Sequence, residues 1–129
     1  MKYDGKKYRS LWYENDELRI IDQRALPFKF RLLKLRTSEE IIAAIKEMKL
    51  RGAPIIGVAA AYAVFFAYRE SLSKADPEFY YESMLSKLKR SRPTAVNLLW
   101  AANQIDNAVK MGLEADRIIS FVKNIENNE

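Results

Sequence analysis

Two hydrophobic periods divide the chain. In its first third, apolar and polar residues alternate, the period-2 pattern of a half-buried strand. Ser10 to Glu14 and Glu17 to Asp22 flank the polar pair Asn15-Asp16, which reads as a short hairpin turn. Phe28-Lys29-Phe30-Arg31-Leu32 alternates again, opened rather than interrupted by Pro27, and Leu33 breaks the alternation, as at a bulge. Three short strands of this kind predict a small antiparallel sheet. It needs helices on one face to be stable.

From Thr37 onward the period is helical. Thr37-Ser38-Glu39-Glu40 is a capping box, with Thr37 as cap and Glu40 reaching back. It predicts a helix to about Leu50 whose buried stripe is Ile41, Ile45 and Met48, with Ile42 and Ala44 beside them. A second helix, from Pro54 to about Ser73, starts apolar on all sides, as suits the centre of a helical cluster. Gly57 and Ala61, four apart on it, let another helix approach its backbone. Asp76-Pro77 opens a third helix to about Arg90, carrying Phe79, Leu85 and Leu88. Thr94 to Met111 is a fourth, with Leu98, Leu99, Ala102, Ile105 and Val109 inward and Gly112 at its end. The fifth, about Ala115 to Ile125, buries Ile118, Val122 and Ile125, and Asn127-Asn128-Glu129 is expected to fray. The class is α+β, one domain over 1–129, with strands in about 10–36 and five helices in about 38–125.

Composition narrows the chemistry. The 129 residues are 49% hydrophobic and 30% charged, a globular balance with room for one core. With no cysteine and no histidine, disulfides, thiolate ligands and imidazole catalysis are all excluded from this chain. The polar start at Met1-Lys2-Tyr3-Asp4-Gly5 is no secretory signal, and a cytoplasmic location is expected. The longest uncharged run, Ala53 to Tyr68, is short for a membrane span and reads as a buried helix. A net charge of +5 invites a nucleic-acid reading. Against it, Lys29, Arg31, Lys34 and Arg36 alternate as on the wet face of a strand. Lys87, Lys89, Arg90 and Arg92 cluster at a helix end, where positive charge is favourable by itself.

Candidate chemistry lies in two segments. Leu50-Arg51-Gly52-Ala53-Pro54 sets an arginine and a glycine before a proline that opens the apolar second helix. Free backbone N–H groups at such a helix start carry partial positive charge, Gly52 admits a ligand close to the main chain, and Arg51 adds a donor fork. Ser91-Arg92-Pro93-Thr94-Ala95-Val96-Asn97 repeats the arrangement. If the two converge, they make a seat for one anion. Asn97, one turn beyond Pro93, is placed either toward that seat or toward a neighbouring loop. Asp22 and Asp76 read as structural, at a strand end and a helix cap, and Tyr62 and Trp100 as core aromatics. No P-loop, dinucleotide-binding glycine pattern or metal-ligand spacing is present.

These blocks resemble the signature of the S-methyl-5-thioribose-1-phosphate isomerase family, related to the regulatory subunits of the initiation factor 2 exchange factor. Arg51 to Ala61 matches its Arg-Gly-Ala-Pro block and Arg92 to Leu98 its Arg-Pro-Thr-Ala-Val-Asn-Leu block. Ile21-Asp22-Gln23-Arg24-Ala25-Leu26-Pro27 is similar to a third block near the start of the isomerases. That block favours them over a ribose 1,5-bisphosphate isomerase or a non-catalytic exchange-factor subunit. The resemblance runs from about residue 10 to the end. It implies an amino-terminal domain that binds a phosphorylated sugar through Arg51, Gly52, Ala53 and Arg92, without metal or other cofactor. It also implies a second, Rossmann-like domain holding a catalytic cysteine and aspartate, and dimerisation through that domain. Neither catalytic residue is expected here, so the isolated chain is expected to be inactive.

Overall fold

The computed structural model describes residues 2–3, 6–7, 11–21, 32–50 and 52–127, the first two pairs by backbone only. Asp22 to Arg31 and Arg51 therefore lie outside the described residues, and with them most of the third signature block and the alternating run that opens at Phe28.

β1 (Lys2–Tyr3) and β2 (Lys6–Lys7) form a small antiparallel pair that the period-2 pattern did not predict. β3 (Leu11–Glu14), β4 (Glu17–Ile21) and β5 (Leu32–Leu35) form the expected three-stranded antiparallel sheet with β4 central. Asn15 and Asp16 connect β3 to β4 with φ of 53° and 61°, the left-handed pair that a tight hairpin turn demands. Leu33 does not mark a bulge. It pairs with Ile20 in an unbroken ladder, and Leu32, opposite Ile21, is the residue that faces out. The register puts Leu11, Tyr13, Leu18, Ile20, Leu33 and Leu35 on one face, and that face packs into the core. On the other, Glu17 receives Arg36 and Arg19, the latter at 3.1 Å.

Five helices follow: α1 (Ser38–Lys46), α2 (Ala53–Ser71), α3 (Pro77–Ser91), α4 (Val96–Lys110) and α5 (Ala115–Asn127). Every residue of α2 from Ile56 to Ala67 is buried, and the other four helices and the sheet are arranged around it. α4 packs tightly against it at Gly57: a Cβ there would lie 3.3 Å from the Asn97 carbonyl oxygen. On the sheet side Tyr13 stacks on Tyr62, with ring centres 5.3 Å apart, and meets Phe66 edge-on. Arg69 lies over the Phe66 ring and donates to the Tyr13 hydroxyl. At the far end Glu70 accepts from the buried Ser38, through both its backbone N–H (2.8 Å) and its hydroxyl (2.6 Å), and from the Tyr80 hydroxyl (2.6 Å). One carboxylate thus ties α1 and α3 to α2.

Three aromatic or long side chains expected in the core face outward: Met48, Phe79 and Trp100 are 48%, 71% and 55% exposed. Each has a geometric reason. The α3 stripe is Tyr81, Met84, Leu85 and Leu88, and Phe79 stands two residues before its first member, on the opposite side. Leu98, Ala101, Ala102 and Ile105 meet α2, which turns Trp100 outward by the same spacing. α1 ends at Lys46, before Met48, which leaves the helix with φ +63°. Of the segment expected to fray, Asn127 is the last residue of α5, and Asn128 and Glu129 lie outside the described residues.

Glu70→Ala should lower stability by about 1–3 kcal/mol, the usual cost of leaving buried donors without an acceptor, and the loss should appear in a chemical denaturation midpoint. The Arg36 guanidinium, bonded to Glu17, and to a lesser degree Arg19, hold the Glu17 carboxyl below its ordinary value near 4.5. A depressed native value stabilises the fold above the unfolded-state value, and the contribution is lost as pH falls through the native one. Melting temperature should therefore fall more steeply below about pH 4.5 for the native chain than for Glu17→Gln.

Candidate functional site

The two sequence segments meet. Gly52 and Ala53 from the start of α2, and Arg92, Thr94, Ala95, Val96 and Asn97 from the start of α4, line one open cavity of about 400 Å³, with Met48 and Ile56 completing its wall. Arg51 lies outside the described residues, so the convergence rests on its neighbours.

Local chemistry explains why both helix starts are bare. α1 is closed by Thr37 and its reciprocal bond to Glu40, and α3 by Asp76, which accepts from the Phe79 N–H at 3.1 Å. Asp76 is thus a structural cap. By contrast α2 begins after Gly52 and α4 after Ala95, neither with a side-chain cap. Their first turns contain no acid, whereas those of α1, α3 and α5 do. A helix start offers backbone donors and partial positive charge, so two of them on one cavity leave a positive, donor-rich surface that the protein does not neutralise.

Arg92 adds a full charge. Arg19, Arg36 and Arg69 are all engaged with carboxylates, but Arg92 has no ion pair or side-chain hydrogen bond with the described residues. Its position follows from Pro93. The residue before a proline avoids helical angles, and Arg92 is accordingly extended (φ −147°, ψ 79°), ending α3 at Ser91. Pro93 and Thr94 then form a turn closed by the Ala95 N–H on the Arg92 carbonyl at 3.0 Å. α4 therefore begins at Val96 rather than at Thr94, and Pro93 serves the turn, not the helix. Asn97 enters the first turn of α4 and does reach the cavity, where its backbone also marks the contact with Gly57.

Met48, Ile56 and Val96 supply an apolar wall that the motifs did not announce. Met48 is there because α1 closes with a Schellman arrangement, the Lys49 N–H on the Ala44 carbonyl (3.0 Å) and the Met48 N–H on that of Ile45 (3.2 Å). Such a closure uses a left-handed residue, usually glycine. Here it is methionine, a strained choice beside a cavity, which is where strain tends to persist.

Gly52 (φ +94°) and Met48 (φ +63°) form a matched test. A Cβ on Gly52 would meet nothing within 4 Å, so Gly52→Ala isolates backbone strain and should cost about 1–3 kcal/mol. Met48→Gly should raise stability by up to about 1 kcal/mol, because left-handed strain is relieved and only partly offset by glycine's unfolded-state entropy. Denaturant titration of both variants checks the pair. A stabilised Gly52→Ala would refute the conformational account.

No family model matches the chain. Individual proteins do. A methylthioribose-1-phosphate isomerase of Thermoanaerobacter sp. (strain X514) is 40% identical over 116 residues, 88% of this chain and 33% of its own length. One from Cereibacter sphaeroides is 44% identical over 105 residues, 81% of this chain and 28% of its own. The crystal structure of 5-methylthioribose 1-phosphate isomerase from Pyrococcus horikoshii superposes with a TM-score of 0.84 at 36% identity, over 96% of this chain and 37% of that one. The delta subunit of translation initiation factor eIF-2B from A. fulgidus gives 0.74 at 32% identity, over 95% and 36%. The chain spans about a third of the length of the curated relatives it matches. By sequence and by fold it belongs, over that third, to the methylthioribose-1-phosphate isomerase family, with the initiation factor 2B delta subunit as a structural relative.

Proposed function

We propose that this chain is the substrate-binding amino-terminal domain of a sugar-phosphate isomerase, and that Arg51, Gly52, Ala53 and Arg92 hold the phosphate. The observation that carries this reading is the convergence on one cavity of two helix starts without side-chain caps and of Arg92, which has no ion pair among the described residues. A phosphate monoester suits such a surface: backbone N–H groups meet its oxygens, and a guanidinium can hold two of them at once.

The substrate most consistent with the cavity is S-methyl-5-thioribose 1-phosphate, converted to S-methyl-5-thioribulose 1-phosphate in methionine salvage. The cavity has one positive end and one apolar wall, Met48, Ile56 and Val96, and the substrate has one phosphate and one methylthio group. A ribose 1,5-bisphosphate would set a second phosphate against that wall. In the isomerisation the bond from C1 to the ring oxygen breaks, hydrogen moves from C2 to C1, and the C2 hydroxyl becomes a carbonyl as a proton passes to the freed ring oxygen. The phosphate on the anomeric oxygen must be held while the ring opens. This chain's residues bind and orient; with no cysteine and no histidine it offers neither a thiol nor an imidazole for the transfer. We assign the transfer to a second domain, which would also carry the dimer contact, in a cytoplasmic enzyme that needs no metal.

Likeness to the eIF-2B delta subunit supports a second reading, a regulatory subunit that uses the same cavity without catalysis. Thioribose 1-phosphate binding separates the two when compared with turnover by a form carrying the rest of the family's length. Binding with turnover supports the isomerase, and binding without turnover the regulatory subunit.

Arg92→Ala should weaken thioribose 1-phosphate binding by about ten- to a hundredfold, the worth of one charge-assisted hydrogen bond. Arg92→Lys should recover part of it, keeping the charge but losing the fork. Arg51→Ala should act alike. Titration calorimetry on the 129-residue chain reads these directly, and melting temperature should hold for Arg92→Ala because that side chain has no ion pair or hydrogen bond to lose among the described residues. Unchanged affinity in both alanine variants would sink the phosphate assignment. Turnover by the purified chain alone would sink the assignment of chemistry elsewhere.

A further inference from the structure

We propose that a second cleft, between the carboxyl ends of α1 and α3, is a separate anion site that takes a phosphate-class anion. Ile42, Lys46, Lys87, Arg90 and Ser91 line this space of about 260 Å³. None of them lines the larger cavity, so the proposal does not depend on the function assigned there.

α1 and α3 run in the same direction along one another. Lys87 bonds Glu39 at 2.6 Å near the start of α1, and Arg90 and Ser91 come beside Ile42 and Lys46 further along. Both helices therefore end at the same place. A helix carboxyl end favours nearby positive charge, which accounts for Lys46 on α1 and for Lys89 and Arg90 on α3, each helix taken by itself. The two ends together carry about one negative charge and Glu39 one more, so Lys46, Lys87 and Arg90 still leave about one positive charge over. Two basic helix ends set side by side bring Lys46, Lys87 and Arg90 around one cleft, with Glu39 as the acid that answers them and Lys87 as the cation it answers. Lys46 and Arg90 have no ion pair or hydrogen bond among the described residues.

An anion between these two cations would convert mutual repulsion into two attractions. The cleft's shape and donors favour a compact anion. Ile42, 3% exposed, closes its floor, so the ligand is bounded on one side by apolar surface that strengthens the charge interaction. The Ser91 hydroxyl donates to the Leu88 carbonyl at 2.5 Å, so its proton is committed and the cations do the binding. A tetrahedral oxyanion satisfies a planar guanidinium and a three-donor ammonium together, as inorganic phosphate or a phosphate monoester does.

The test is a titration of the ¹⁵N-labelled chain with inorganic phosphate, against chloride at matched ionic strength. The amides of Ile42 and Ser91 should shift and saturate, apart from any shifts at Gly52, Ala53 and Asn97. In a Lys46→Ala, Arg90→Ala double variant the first set should weaken by at least about tenfold while the second is retained. Both side chains are exposed, and an unchanged melting temperature confirms an intact fold. A Lys46→Arg, Arg90→Lys swap should keep the binding, which a merely structural role for these two would not require. Phosphate shifts that do not saturate at Ile42 and Ser91, or that persist in the double variant, would overturn the proposal. So would a single-stranded oligonucleotide binding there when phosphate does not, since the cleft would then be part of a nucleic-acid surface.

Discussion

The fold depends on one helix having no wet face. α2 is buried on every side from Ile56 to Ala67, so its neighbours cannot choose their positions independently. Small residues let α4 come into contact at Gly57, Tyr62 and Phe66 receive the sheet through Tyr13, and Glu70 fixes α1 and α3 at the far end. Close-packed interiors transmit displacement. The start of α2 is therefore held against the start of α4 by the core as well as by the Gly57–Asn97 contact.

That arrangement leaves the Arg92 side chain without a carboxylate among the described residues. Carboxylates satisfy Arg19, Arg36 and Arg69, and the Tyr81 hydroxyl is spent on Asp106 at 2.7 Å, where burial and that bond hold the phenol protonated. Lys110 completes the latter group from outside, at 3.1 Å from Asp106. None of these lies at the larger cavity. At the cavity, by contrast, Arg92 has no ion pair among the described residues. The proposed anion site requires donors left unsatisfied by the protein, and two uncapped helix starts beside a guanidinium without an ion pair among the described residues meet that condition.

The strain at the rim fits the same pattern. Gly52 and Met48 both stand at positive φ on the connector between α1 and α2, four residues apart. Gly52 takes that geometry at little cost and lets the backbone face the cavity. Met48 takes it at some cost and supplies an apolar surface in return, which a glycine would not do. The connector thus gives the cavity one polar edge and one apolar edge from a single short turn.

By itself the sequence determined the class and most of the element boundaries, because those depend on neighbours along the chain. Asn15-Asp16 can hold left-handed angles, Thr37 and Glu40 close a helix locally, and Ile41, Ile45, Ile118 and Val122 repeat at the spacing of one face. It also brought out Arg51, Gly52, Ala53 and Arg92 as candidates for binding an anion, and the fold sets Gly52, Ala53 and Arg92 on one cavity. What it could not determine was anything set by a partner distant along the chain. Trp100 and Phe79 are as apolar as core residues, and only the packing of α3 and α4 against α2 turned them outward. Leu33 broke the alternation of the residues before it, yet pairing with Ile20 put it on the inner face. Met48 reached the cavity through the closure of α1, and the two basic helix ends faced each other only because α1 and α3 lie side by side. Local angles and periods are written in short stretches of chain, whereas a cavity belongs to segments that folding alone brings together.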